Sequence, residues 1–282
     1  MKKIELDLNN FKDTYGLSCV ENLVLYILKA NKMPYQHLYY DSFITIYDIE
    51  REFIEHSISY AYFSSISRIQ NIAEKEGILK LNLIDSESLI LEENAAYCCV
   101  MVGPEFFKKT HNLTPWREDH YILLSKINNE NFYYINDRPR HIDKISYNDL
   151  ETCYSGRIIE IELLKNINFL EKNKYIEKLY RNINLNNEEY IITSTNLLQL
   201  RDIIGILRIV RKRLFSILSQ TFDVDFMLPY LEFLNHSFAM LEYMRIKSEN
   251  NTQKIKTISK EVSIWDFEIN RKIVFLLKKE VH

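Results

Sequence analysis

Ser18-Cys19-Val20-Glu21-Asn22-Leu23-Val24-Leu25-Tyr26-Ile27-Leu28 opens the first clear helix of this 282-residue chain. Ser18 followed three residues later by Glu21 is a capping box, in which a hydroxyl and a carboxylate satisfy the N–H groups that a helix start leaves over. The apolar run Leu23–Leu28 continues the helix as a buried one; Asn31 closes it, and Pro34 lies beyond. With Ser18 as N-cap, Cys19 is the first helical residue. Its thiol then sits against unpaired backbone donors and the positive end of the macrodipole. Such surroundings favour thiolate over thiol.

Outward from this helix, the pattern divides the chain in two. Residues 48–56 and 64–76 read as further helices, with Gly77 as C′ residue of the second. Strand character follows: 95–102 is an apolar run ending at Gly103-Pro104, and 157–164 alternates. Residues 119–127 and 131–137 flank Asn128-Asn129-Glu130 and read as a hairpin. After Lys165, residues 170–183, 190–219, 225–248 and 258–279 read as helices, the second with Leu200, Ile203, Ile204, Leu207, Val210 and Leu214 at three- and four-residue steps. The expected fold class is α+β: an N-terminal domain over 1–165 and a C-terminal helical bundle over 166–282. Aromatic and Met residues such as Phe222, Phe226, Met227, Tyr230 and Phe233 fit a bundle core.

Net charge is −3, which argues against nucleic acid as the default partner, and the negative charge concentrates in residues 1–165 while 166–282 is net positive. Met1-Lys2-Lys3-Ile4-Glu5 does not begin a signal peptide, and no apolar run reaches membrane-spanning length. Cys19, Cys98, Cys99 and Cys153 have neither disulfide-framework nor zinc spacing, so a reduced, cytoplasmic protein with no metal is the simplest expectation. Cys98 and Cys99 lie in a buried-strand run and read as small core residues. His37, His56, His111, His141, His236 and His282 read as structural or exposed.

Three residues carry a possible chemistry: Cys19 at its helix start, His120 at the head of the strand His120-Tyr121-Ile122-Leu123-Leu124, and Asp137 in Ile135-Asn136-Asp137-Arg138-Pro139. If Asn128 pairs with Asn131 around a two-residue turn, opposed residue numbers sum to 259. His120 and Asp137 are then diagonal neighbours on one face, roughly 7–8 Å apart; a slip of one residue would put them on opposite faces. Cys would supply a soft nucleophile, His would take its proton, and Asp would hold the imidazole tautomer. The bland alternatives are a buried cysteine, a satisfied histidine and an Asx-type turn at Asp137-Arg138-Pro139.

Cys, His and Asp in this order resemble the papain-like superfamily, and more closely its C39-like branch, which includes butirosin-H-like acyltransferases and amide-forming enzymes of natural-product pathways such as that of closthioamide. The carrying stretches are Tyr15-Gly16-Leu17-Ser18-Cys19-Val20-Glu21-Asn22-Leu23, Asp119-His120-Tyr121-Ile122-Leu123-Leu124 and Tyr134-Ile135-Asn136-Asp137-Arg138-Pro139. The resemblance implies a papain-like domain and a catalytic triad of Cys19, His120 and Asp137. It further implies a cysteine acyltransferase that forms an amide through acyl-Cys19. The thioester donor would be an acyl or peptidyl carrier protein whose phosphopantetheine carries the acyl group, with no bound cofactor, and the acceptor a small-molecule amine. A C39-like peptidase or amidase and an inactive binding protein of the same fold are the alternatives. The donor, the acceptor and the oligomeric state stay open.

Papain-like proteases place a Gln oxyanion donor five or six residues before the nucleophile; here Asp13 and Thr14 stand there. A carboxylate would repel the oxyanion, so Thr14, Asn9 and Asn10 are the candidate donors, and Asp13, Asn22 and Trp116 the candidates to line a substrate pocket. In the helical half Arg201, Arg208, Arg211, Lys212 and Arg213 form a basic cluster, read either as a solvated helix face or as a dock for an acidic carrier protein.

Overall fold

The computed structural model describes residues 5–33, 35–54, 66–75, 77–91, 97–112, 119–128, 130–164, 172–185, 189–194, 196–249 and 251–281. Trp116, His56 and His282 lie outside the described residues, as do 55–56, 64–65, 76, 170–171 and 195 of the expected helices and 95–96 of the expected strand. The protein is mixed α+β, with a six-stranded sheet and C-terminal helices. It packs as two units: 1–35 with 64–168, and 36–63 with 169–282. The second crossing falls close to the expected boundary at 165/166. The described residues 36–54, assigned by sequence to the N-terminal domain, belong instead to the unit of the helices.

In the first unit, α1 (Cys19–Ala30) and α3 (Ile66–Lys75) accompany six strands: β1 (Leu79–Asp85), β2 (Tyr97–Val102), β3 (His120–Lys126), β4 (Asn131–Asp137), β5 (Arg140–Ser146) and β6 (Tyr154–Leu163). The order across the sheet is β1-β6-β2-β3-β4-β5, every pairing antiparallel. Two short helices join strands, α4 (Pro104–His111) and α5 (Tyr147–Cys153). Neither was legible in sequence, and β5 was missed because its exposed, polar residues give an edge strand no apolar alternation.

The hydrophobic residues separate cleanly by parity. Val100, Val102, Ile122, Leu124, Phe132 and Tyr134 face a core filled by Phe106, Phe107 and Leu150. The odd positions Cys99, Leu123 and Ile135 are also fully buried, and α1 packs on β3 and β4. A sheet buried on both faces explains the continuous apolar runs in β2 and β3. Burial pushes the Cys98 thiol up to about 12 and the Cys99 thiol well above its ordinary value, so both are inert core residues.

The register of the β3–β4 hairpin differs from the expected one. Leu123 pairs Ile135 and Lys126 pairs Phe132, so opposed numbers sum to 258. The loop closes with Ile127 N–H on Asn131 O at 3.0 Å, leaving three residues between them rather than two. Asn128 does this: its side-chain oxygen accepts the N–H groups of Glu130 and Asn131, at 3.0 and 2.8 Å, and the turn follows that Asx geometry.

The second unit holds α2 (Ile46–Ile54), α6 (Lys172–Leu185), α7 (Leu197–Leu218), α8 (Leu228–Ile246) and α9 (Thr252–Val281). α7 starts at Leu197 because Asn196 caps it, accepting from Leu198 and Gln199 N–H; residues 190–194, expected within the helix, precede it outside any helix. Asn251 accepts the Lys254 N–H, so α9 begins six residues earlier than the apolar periodicity suggested. No helix among the described residues is long and apolar enough to cross a membrane.

Candidate active site

Ser18 is the N-cap of α1, and its hydroxyl accepts the Glu21 N–H at 3.1 Å. The Glu21 carboxylate accepts from Leu17 N–H at 2.6 Å, one residue before the cap. Cys19 therefore stands at the first helical position, partly exposed. Its backbone N–H is one of the helix-start donors with no intrahelical acceptor. One turn on, the Asn22 amide is engaged at both ends: its oxygen accepts the Gly16 N–H at 3.0 Å and its nitrogen donates to Asp137 Oδ2 at 2.8 Å. Asn22 thus tethers the loop before Cys19 to Asp137.

Gly16 is required by that tether. A Cβ there would lie 2.2 Å from Asn22 Oδ1 and 2.8 Å from the Asn22 backbone N. Gly16→Ala must push the side chain and the helix start apart, and is expected to lower stability by about 1–3 kcal/mol with a matching drop in denaturation midpoint. An unchanged midpoint would show that the tether is slack.

His120 is buried at the head of β3, its ring edge-on to Phe107 at 5.4 Å between centroids. Nε2 lies 2.7 Å from Asn136 Oδ1 and 3.0 Å from Asp137 Oδ1. The better-directed bond is to Asn136; Asp137 Oδ1 stands beside it as a charge partner without a well-aligned hydrogen bond. The hairpin register explains the pair. With a sum of 258, the diagonal same-face neighbour of His120 is Asn136, and Asp137 belongs to the face of α1, where Asn22 holds it. Because the paired ladder ends at Leu123↔Ile135, the His120 ring at the strand end reaches both. The expected parity for Asp137 was wrong, yet the contact forms, and Asn136 is the partner that sequence reasoning missed.

The electrostatics are one-sided. Burial alone would strip the proton from His120; the Asp137 carboxylate 3.0 Å away and the Cys19 side chain, through their close contact and their charge, outweigh it and raise the pKa to about 10. With Nε2 occupied by Asn136 and Asp137, Nδ1 is the nitrogen left for the thiol. Burial likewise opposes ionisation of Asp137, but the close contact and charge of His120, with the Asn22 hydrogen bond and Arg138, hold its carboxyl below the usual range. The arrangement is a cysteine at a helix start beside an imidazole whose protonated form both Asp137 and Cys19 favour.

The other site candidates separate. Thr14 is buried, but its hydroxyl donates to Phe11 O at 2.9 Å and is turned to the backbone. Asn9 is exposed, with its N–H and its amide both on Asp7 Oδ1; Asn10 hydrogen-bonds the Tyr26 hydroxyl. Of the three, Thr14 has its only side-chain donor committed to the backbone, and the Cys19 N–H at the helix start is a further candidate donor. Asp13 is exposed at a left-handed φ of 58°. It lies beside Tyr15 and Tyr35, whose hydroxyls are pushed up by burial and then by its charge. Among the described residues no group of three or more His, Cys, Asp or Glu is arranged to hold a metal ion.

The basic cluster of α7 is not one solvated face: Arg211 and Arg213 are buried, while Arg201, Arg208 and Lys212 are partly exposed. Arg211 is fully buried, with its guanidinium on both oxygens of Asp266 at 2.6 and 2.8 Å and on Ile44 O at 3.1 Å. Arg213 is buried over the Tyr39 ring. Arg208 lies over Phe238 at 4.3 Å, and Arg201 is paired with Asp202 and Glu242. Burial and the nearby Arg208 lower the pKa of Lys212. The spacing did carry the signal: position 211 is four residues after Leu207 and three before Leu214, on the apolar stripe itself.

No protein-family model matches the chain, and no curated protein matches it.

Proposed function

We propose that the chain is a papain-like cysteine acyltransferase working through acyl-Cys19. The observation that carries this is the His120 ring beside the Cys19 side chain at the start of α1, with Nε2 2.7 Å from Asn136 Oδ1 and 3.0 Å from Asp137 Oδ1, an environment that favours its protonated form. In the first step the Cys19 sulfur attacks the carbonyl carbon of a thioester, while the Cys19 N–H at the helix start donates to the developing oxyanion. The C–S bond of the donor breaks, and the His120 imidazolium gives its proton to the departing thiolate. In the second step neutral His120 takes a proton from an amine acceptor, whose nitrogen attacks the acyl carbon. The amide forms, and Cys19 leaves as thiolate beside the imidazolium. Asn136 and Asp137 hold the ring in both resting states, and its positive charge in the free enzyme.

The donor class, a thioester on the phosphopantetheine of a carrier protein, and the amine acceptor follow the C39-like resemblance, and they do not depend on the α7 arginines. Intact mass after incubation with acyl-carrier thioesters tests the reading. The wild-type protein should gain one acyl group, lose it on adding the amine, and yield amide; Cys19→Ala should gain none. Loss of the acyl group to water at the same rate with or without amine would make the protein a hydrolase. Acylation of the Cys19→Ala protein at the wild-type rate would overturn the nucleophile.

A further inference from the structure

We propose that His111 is a positioning residue for His120, acting through the Asn136 amide; as a statement about the Cys19–His120 pair it rests on the proposed function. Asn136 is fully buried, and its contacts assign the amide orientation: Oδ1 meets His120 Nε2 at 2.7 Å and the Arg138 N–H at 3.4 Å, while Nδ2 donates to Arg138 O at 3.1 Å and meets His111 Nε2 at 3.5 Å. One flat amide therefore spans two imidazoles, accepting from the first and donating to the second. The donor role of Nδ2 requires His111 Nε2 to be an acceptor, with the ring proton on Nδ1.

His111 ends α4 and is packed from every side that the described residues supply. Phe106 and Phe107 of its own helix lie at 5.9 and 6.0 Å between ring centroids, and Tyr134 of β4 at 6.4 Å. His141 of β5 stands edge-on at 5.0 Å and is itself 3.7 Å from Asp143. Lys108 and Lys109 share its helical turn. Burial first, and His141 second, hold His111 below the ordinary histidine range against the pull of Asp143. At neutral pH the ring is thus neutral, as an acceptor must be.

Protonation of His111 reverses this. Two donors, Nε2–H and Nδ2–H, then face each other, and a second cation lies one amide away from the His120 imidazolium. The amide is forced to shift or flip, and a flipped Asn136 presents N–H groups to His120 Nε2–H in place of Oδ1. Acidification through the His111 transition should therefore loosen the His120 ring while Asp137, held below the usual carboxylate range, is still ionised.

Two measurements decide it. The ring nitrogens of a ¹⁵N-histidine-labelled wild-type protein are followed by NMR as pH is lowered from neutrality. The His120 signals should take a step that coincides with the titration of His111, and His111→Gln, which offers an amide acceptor but no titration, should remove it. Cys19 alkylation by iodoacetamide is then measured against pH. His111→Gln should keep the neutral-pH rate within about twofold and carry its acid limb to lower pH than wild type. His111→Phe, which keeps the ring packing but has no acceptor, should lower the neutral-pH rate by roughly three- to tenfold, the worth of about one hydrogen bond. His120 signals blind to the His111 titration, or superimposable pH profiles in wild type and His111→Gln, would overturn the proposal. The wild-type titration needs no variant and so decides it even if a variant fails to fold. A wild-type Cys19 that labels no faster than free cysteine would instead sink the acyltransferase reading, and the NMR titration would still decide the role of His111.

Discussion

His120→Ala should lower the rate of acyl-Cys19 formation by about 10²–10⁴-fold, the usual worth of a positioned acid–base group. Two losses combine. The thiol loses the imidazolium that stabilises its thiolate, and the departing donor thiolate loses its proton source. His120→Gln should fall within the same range, because a neutral amide restores hydrogen bonding to Asn136 but neither charge nor proton. The rate is read from the intact-mass time course. A loss smaller than about threefold would remove His120 from the chemistry.

The same group sets a pH signature in stability. The folded pKa of His120 is about 10, above the ordinary histidine value of 6.5. The stabilisation that it contributes is therefore complete below about pH 6.5 and is lost as pH rises through 10. Asp137 has the opposite sign: its stabilisation is present above its ordinary value of 3.8 and is lost as pH falls through its lower folded value. Wild type should thus lose stability between neutral pH and pH 10, by of order a few kcal/mol, in chemical denaturation. His120→Gln should be flat over that interval, and parallel curves for the two proteins would mean that the ring is not held as an imidazolium.

Arg211→Met should destabilise the helical unit by about 3–5 kcal/mol, because it leaves Asp266 charged and buried. Asp266 accepts two hydrogen bonds from Arg211, one from the Tyr230 hydroxyl at 2.8 Å and one from Asn270 Nδ2 at 3.2 Å. Met keeps most of the stem volume of Arg, so the loss is one of charge compensation rather than packing. Asp266→Asn should cost a similar amount by stranding the guanidinium. Arg211→Met combined with Asp266→Leu should recover a large part of either loss, since a buried ion pair and an apolar pair of similar volume are close in free energy. The recovery falls short by what the Tyr230 hydroxyl, Asn270 and Ile44 O lose. Denaturant midpoints of the four proteins form the test. A single-variant loss below about 1 kcal/mol, or strictly additive losses, would mean that the two side chains are not a coupled pair.

Residues close in sequence were legible before any tertiary structure. The Ser18 cap, Glu21 and Cys19 at the first helical position follow from hydrogen bonds that span three or four residues, and they form as the sequence indicates. The apolar runs of β2 and β3 and the stripe of α7 were readable for the same reason: burial periodicity is local. Arg211 was the exception inside a correct helix. Its charge argued for solvent, while its position on the stripe argued for burial, and only the carboxylate of Asp266, 55 residues away, decides between them.

What the sequence alone determined, then, is where a thiol meets a helix start and which strands can flank it. The tertiary structure decided the partners of His120. The register of β3 against β4 depends on whether two or three residues close the turn, and that rests on how the Asn128 side chain folds back on Glu130 and Asn131. A change of one residue there decides which of Asn136 and Asp137 shares the face of His120. Asn136 then aligns with the ring and connects it to His111, while Asp137 is drawn to Asn22 of α1 and reaches the ring from the side. Local periodicity says which residues prefer burial, but cross-strand alignment is set by loop closure and by contacts over more than a hundred residues, as between Asn22 and Asp137.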